Sequence, residues 1–533
     1  MAERRRRASL HWHAARLIAA AGLLAGDIST QAQVAGTQDL AAAAALVVER
    51  HVGPTVYRGE PVAERGVVAF RGIPFARPPV GERRWLRPEP VPPIDGVVDA
   101  TRFAPACMQS GSGLAWYHGL MRRIGVAPSR FPAPEYSEDC LYLNIWSGSD
   151  GGPLRPVIVY VHGGSNTGGW SYEPNYRGTA LAARGAIVVT VAYRLGVFGF
   201  LTHPDLPDRN FALHDLAMAL AWVRQHIAAF GGDPQRITLM GESAGAANAS
   251  HLMVSPLSRT LAQRLIHQSG GWQFDGLADL AEAEALGRRL ETELVGEDGG
   301  LDAIRRLSAQ AVLDAAASVY ADFYFSPVPD GVTLPASLGE LARRGELPAF
   351  DLLLGSNGDE SLMYLADGES VDDWLIANHA RSRAEAIREH LGAASTEREQ
   401  LNVLRTAAQF ACPSARFATA VAEAGGRSFV YEFTRQRVGL DSLGAYHGAE
   451  LPYVFDSHDD WLPTQERDRE LTRQMVSRWL SFAASGEPVG ADGAAWPEWH
   501  SGSRRILSFG DELSVRESSY TRLCEALGST PRR

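Results

Sequence analysis

Lysine is absent from this 533-residue sequence, so all 51 basic side chains are arginine. That bias reads as the codon usage of a GC-rich genome rather than as a binding surface. Acidic residues, at 62, outnumber the arginines and leave a net charge of −11. A surface of that sign repels phosphate backbones and anionic lipid, so nucleic acid is not an expected partner. The chain also lacks a His-Glu-x-x-His or Cys-x-x-Cys pair, and nothing else suggests a metal centre or an organic cofactor. Neither an internal repeat nor a Pro- or Ser-rich linker divides residues 50–525. With 45% hydrophobic and 21% charged residues the composition is that of an ordinary globular protein. One continuous domain over residues 33–533 is expected, of unknown oligomeric state.

The N-terminus carries Arg4 to Arg7, then an apolar stretch from Leu17 to Ala25, then the small-residue site Thr30-Gln31-Ala32. This is the pattern of a signal peptide over residues 1–32, and it predicts an exported protein, periplasmic or secreted. The apolar stretch is far short of the roughly 20 residues of a membrane span, and no cysteine follows it to accept lipid. A stable membrane anchor is therefore not expected. Arg6-Arg7 leaves the choice between general and twin-arginine export open.

Only four cysteines are present, and in an exported chain an even number invites pairing. Three connectivities are possible. Cys107 and Cys140 enclose a Gly-, Ser-, Pro- and aromatic-rich segment without a clear period, as expected of a stapled surface loop worth roughly 3–4 kcal/mol on the chain-entropy account. That leaves Cys412 with Cys524.

Short β-branched runs alternate with helical periods: Val157 to Val161, Ile187 to Val191, a helical stretch from Leu213 to Phe230, then Ile237 to Met240. Shorter apolar runs follow at Leu265-Ile266, Asp351 to Leu354 and Phe429 to Tyr431, between amphipathic stretches such as 281–294 and 466–484. This rhythm predicts an α/β fold with a large, mostly parallel central sheet flanked by helices.

The sharpest local signal is Gly241-Glu242-Ser243-Ala244-Gly245, directly after the run Ile237 to Met240 and before a small-residue helix. A strand-to-helix elbow lifts the Ser243 hydroxyl clear of the sheet, and the flanking glycines let the turn close. A hydroxyl is a weak nucleophile at neutral pH, so Ser243 needs a base, and the base needs a carboxylate to orient it. The polar turn after Leu354 offers Asp359 and Glu360, between which the residues alone do not choose. His447, in Tyr446-His447-Gly448-Ala449-Glu450-Leu451-Pro452, is loop-placed, but composition cannot select it from 15 histidines. The run Val157 to Val161 leads into His162-Gly163-Gly164-Ser165-Asn166. The N–H groups of Gly164 and Ser165, with that of Ala244, could hold the negative charge of a tetrahedral intermediate, each such donor being worth about 3–4 kcal/mol of barrier. His162 reads as structural.

These motifs, taken with Phe70-Arg71-Gly72-Ile73-Pro74-Phe75-Ala76, Ser137-Glu138-Asp139-Cys140-Leu141-Tyr142-Leu143-Asn144, Tyr193-Arg194-Leu195-Gly196 and Phe230-Gly231-Gly232-Asp233-Pro234, resemble the type B carboxylesterases. That family is the cholinesterase-like branch of the α/β-hydrolase fold, and the resemblance, to a bacterial-type member, runs from about Gly66 to Cys524. It implies a serine carboxylic-ester hydrolase acting on small-molecule esters without a cofactor. It further implies that Glu360 is the orienting acid, that His447 is the base, and that Glu242 is a buried carboxylate supporting the histidine. The same resemblance implies the cysteine pairing above and puts Phe323 among the aromatics of the acyl pocket, where the competing reading is a core phenylalanine.

The sequence departs from the family pattern at Ser165, where many members have a third glycine, and at Asn166, where an aromatic is common. Trp116 lies in the first cysteine loop, but not at the spacing of the choline-binding tryptophan. Two other functions compete with a small-ester hydrolase. A lipase or hydrolase of polymeric esters would favour an uninterrupted apolar flap, whereas this loop carries Arg122, Arg123 and Glu135. A non-catalytic adhesion module on the same fold would lack the serine.

Overall fold

The computed structural model describes residues 47–62, 66–149, 151–296, 299–378, 381–391, 396–459, 461–494 and 496–528. The expected signal peptide, 1–32, lies outside the described residues.

Runs such as Val157 to Val161 and Leu352-Leu353-Leu354 show no polar alternation because both faces of these strands are covered. Val157, Val159, Val161, Leu352 and Leu354 enter one buried cluster with Phe211 and Leu239. Ile158, Tyr160 and Leu353 point the other way and join Met240 and Trp479. The two-residue period of a strand thus feeds two cores, one on each side of a 13-stranded sheet.

The middle of that sheet is parallel. Ile187–Val191 pairs with Arg155–Val161, which pairs with Gly232–Glu242, and the series continues through Arg264–Gln268, Asp351–Asn357, Ser428–Phe433 and Arg505–Phe509. Antiparallel strands close both sides: Tyr142–Gly148, Val67–Pro74, Thr55–Val62 and Val48–Val52 on one, and Leu513–Glu517 on the other. Parallel strands all point the same way, so the loops that follow Val161, Glu242, Asn357 and Phe433 leave from one edge. Ligands of open α/β sheets bind at that edge.

Several of the ordered motifs have structural work to do. Arg194 makes a bidentate pair with buried Asp215, at 2.8 Å and 2.7 Å. Arg84 binds Glu138 and also donates to the Ile304 and Leu307 carbonyls, so the guanidinium is satisfied although buried. Asn144 donates to Ser171 and Thr190 and accepts from Gly72 N, fastening three segments behind the site.

Both disulfides pair as expected, Cys107 with Cys140 and Cys412 with Cys524. The first loop differs from its sequence reading, for it contains the helix Ser112–Arg123. Tyr117, Leu120 and Met121 form its buried face, and Tyr117 and Met121 pack with Phe131 and Trp170. Gly113 and Gly119 dilute the helical signal in the sequence, and packing supplies what propensity lacks. Among the described residues no helix is long and apolar enough to cross a membrane.

Candidate active site

Ser243 follows the last residue of strand Gly232–Glu242 and precedes helix Ala244–Val254, with φ 57° and ψ −129°. An L-residue holds such a backbone only where its surroundings impose it. Here the neighbouring glycines allow close approach: a Cβ on Gly245 would lie 2.1 Å from the Val161 carbonyl oxygen, and one on Gly241 would meet Gly245 backbone at 2.5 Å. Ser243 N–H donates to the Gln268 carbonyl at 2.8 Å, tying the elbow to the next strand.

The histidine and the acidic turn come from distant segments. His447 Nε2 lies 2.8 Å from Ser243 Oγ, and His447 Nδ1 lies 2.5 Å from Glu360 Oε2. Glu360 Oε1 accepts from Asn357 N–H at 2.7 Å, which fixes the carboxylate against its own strand. Asp359 points elsewhere. Its Oδ2 accepts from Ala445 N–H at 2.7 Å and its Oδ1 from Asn402 at 2.9 Å, so it holds the backbone just before His447. His162 stacks on Tyr193 and bonds the Gly163 carbonyl; burial pushes its imidazole down to about 4.

Glu242 Oε1 sits 3.3 Å from His447 Nε2. Burial works against a charge on His447, but Glu242 and Glu360 outweigh it and hold the imidazole above its ordinary range. Burial likewise pushes Glu242 up, against the pull of His447.

The loop after Val161 packs directly on the elbow, since a Cβ on Gly163 would fall 2.9 Å from Ser243 Cβ. Gly164, Ser165 and Asn166 all have positive φ, at 102°, 56° and 60°. Asn166 is fixed by donating to the Phe325 carbonyl and accepting from Asn248, and this polar support occupies the place of the common aromatic. The N–H groups of Gly164 and Ser165 bond no carbonyl among the described residues. Ala244, first in its helix, has no partner one turn earlier. All three donors remain free for a ligand.

Ser243, His447, Glu242, Gly164 and Ser165 line a cavity of about 260 Å³. Sequence reasoning missed several of its other walls. Trp116 and Tyr117 arrive on the helix of the disulfide loop, Glu173 and Tyr176 from beyond the Gly163 turn, and Tyr364 from just after Glu360. Trp116 donates to the Tyr364 hydroxyl at 3.1 Å.

Phe323 requires a correction. It packs on Tyr320 and Phe325 and lines a separate cavity of about 1080 Å³, not the one that holds Ser243. On this side Phe410 lies 5.4 Å from His447 between ring centroids, Trp272 lies 5.3 Å from Phe410, and Tyr324 packs on Trp272. Phe410 lies in a π-helical turn, Ala407–Ala411, which no spacing rule for ordinary helices reveals.

With this geometry in place, known proteins are informative. Residues 55–527 match the profile of the Carboxylesterase family. The chain belongs to that family. It is 32% identical over 508 residues to the acetylcholinesterase of Bungarus fasciatus, covering 87% of this chain and 83% of the relative. It is 30% identical to the para-nitrobenzyl esterase of Bacillus subtilis (strain 168), covering 85% and 93%, and 33% identical to the fumonisin B1 esterase of Sphingopyxis macrogoltabida, covering 85% of each. Among solved structures, a PNB esterase superposes with a TM-score of 0.78 at 28% identity, over 90% of this chain and 99% of that one. The carboxylesterase is an α/β-hydrolase and hydrolyses carboxylic esters.

Proposed function

We propose that this esterase cleaves small-molecule esters with Ser243 as nucleophile, His447 as general base and Glu360 as the orienting acid. The observation that carries the reading is the unbroken hydrogen-bonded series from Ser243 Oγ through both ring nitrogens of His447 to Glu360. His447 Nε2 takes the hydroxyl proton as Oγ attacks the ester carbonyl, and Glu360 holds the Nδ1 proton and stabilises the imidazolium. The N–H groups of Gly164, Ser165 and Ala244 receive the oxyanion. His447 then passes its proton to the departing alcohol, which leaves the acyl group on Ser243. Water, activated by the same nitrogen, releases the acid.

The reading extends to residues 33–533 as a single domain that is exported after loss of the signal peptide 1–32, and that acts in the periplasm or outside the cell. Two disulfides and the absence of a membrane-crossing helix among the described residues are compatible with that location.

Labelling with an organophosphate tests the nucleophile. The adduct is expected on Ser243, and Ser243→Ala should stay folded and lose nearly all turnover. An unlabelled Ser243, or an alanine variant retaining more than a few per cent of activity, would overturn the assignment.

A further inference from the structure

The peptide unit that joins Gly358 to Asp359, just before Glu360, is held at both ends. Its N–H, on Asp359, donates at 3.0 Å to the carbonyl of Ala445, two residues before His447. Its carbonyl, on Gly358, accepts from the Tyr520 hydroxyl at 3.1 Å. No backbone N–H reaches that carbonyl among the described residues. A peptide unit is planar, so fixing both of its polar groups fixes the plane, and with it the direction in which Glu360 leaves the turn.

Tyr520 is 162 residues away in sequence and stands just ahead of the C-terminal helix Thr521–Leu527. The segment that carries it is fastened to the strand beside the acidic turn. Glu432, buried on strand Ser428–Phe433, accepts from Arg516 at 2.6 Å and from the Ser518 hydroxyl at 2.7 Å. It also accepts from the N–H and the hydroxyl of Ser519, at 3.1 Å and 2.6 Å. The helix beyond is tied through Cys524 to Cys412. Tyr520 itself is 7% exposed and shares a buried cluster with Leu365, Leu401 and Leu404. Burial and the carboxylates of Glu432, Asp359 and Glu360 outweigh Arg516 and keep the phenol protonated, as a donor must be.

We infer that Tyr520 is a positioning residue: by holding the Gly358 carbonyl while Ala445 holds the adjoining N–H, it keeps Glu360 in reach of His447 Nδ1 and couples the C-terminal segment to the rate of ester cleavage. This inference rests on the proposed role of Glu360. Tyr520 does not line the cavity that holds Ser243, so it acts through the carboxylate and not on the substrate. A displaced carboxylate orients the imidazole and stabilises the imidazolium less well, so the loss falls on kcat rather than on KM.

Tyr520→Phe removes the donor and keeps the ring. In the intact protein, with para-nitrophenyl acetate as the probe, it should lower kcat about tenfold and leave KM unchanged. The rising limb of kcat/KM should move to lower pH, since Glu242 and Glu450 still face His447 and only the contribution of Glu360 weakens. In a Glu360→Gln background the same substitution should cost less than about twofold, because no carboxylate is left to position. Leu527→Ala, at the other end of the same helix and in the same buried cluster, controls for a loosened helix. It should lower the melting temperature and leave both kcat and the limb unchanged.

An unchanged kcat in Tyr520→Phe, a limb that stays in place, an undiminished loss in the Glu360→Gln background, or a matching loss in Leu527→Ala would each overturn the inference. A silent Tyr520→Phe beside a crippled Glu360→Gln would sink this inference alone and leave the triad standing. Near-normal turnover in Glu360→Gln would sink the reading of Glu360, and this inference with it.

Discussion

Glu360 Oε2 meets His447 Nδ1 at 2.5 Å across 87 residues of sequence, while the adjacent Asp359 turns to the backbone of Ala445. Two neighbouring carboxylates on one turn therefore have different work. One faces the imidazole, and the other pins the loop that presents it.

That division gives the first prediction. Glu360→Gln should lower kcat by orders of magnitude, by analogy with the ~10⁴ loss when a triad carboxylate becomes an amide. Asp359→Asn should cost far less in kcat but destabilise the fold by about 1–3 kcal/mol, because an amide N–H would face the donors Ala445 N and Asn402 Nδ2. Steady-state kinetics on variants verified by near-UV circular dichroism, with denaturant titrations, separate the two effects. A crippled Asp359→Asn beside an active Glu360→Gln would reverse the assignment.

Activity should depend on pH through His447, which must be neutral to accept the Ser243 proton. Against its burial, Glu242 and Glu360 raise the imidazole. The rising limb of kcat/KM should therefore lie above the ordinary imidazole value of about 6.5. Glu242→Gln removes one of the raising charges and should move the limb to lower pH. A limb that stays put in this variant would show that Glu242 carries no charge felt by the base.

Gly163→Ala should impair catalysis although it adds a single methyl group. The new Cβ would fall 2.9 Å from Ser243 Cβ and 2.8 Å from the Glu242 carbonyl, so the loop bearing Gly164 and Ser165 must retreat from the nucleophile. A loss in kcat with organophosphate adducts still forming slowly on Ser243 is expected. Unchanged kinetics would mean that the loop yields without moving its free N–H groups.

The Cys412–Cys524 bridge spans 112 residues and joins the helix after Phe410 to the C-terminal helix. On the chain-entropy account a loop of that length contributes about 5 kcal/mol. Cys412→Ser with Cys524→Ser should lower the melting temperature in calorimetry while leaving Ser243 open to labelling. An unchanged melting temperature would show that packing alone holds this end of the chain.

The sequence by itself determined what is local. Apolar runs, helical periods and the glycine-flanked elbow are each written within a few consecutive residues, so the parallel sheet and the position of Ser243 at a strand end were legible. The loop bearing Gly164 and Ser165 was legible too, as a glycine-rich turn directly after a strand. Choosing between Asp359 and Glu360, and picking His447 from 15 histidines, needed a family resemblance. Tertiary structure alone decided the cavity walls. Helix Ser112–Arg123 exists because its apolar face finds Phe131 and Trp170, and it delivers Trp116 and Tyr117 to the site. Phe323 turned into a different cluster, and Phe410 came forward on a π-helical turn. Glu173 drew no attention in the sequence, since its place in the cavity wall requires burial and a hydrogen bond from Tyr117. Those conditions depend on segments far apart in the chain, and folding alone brings them together.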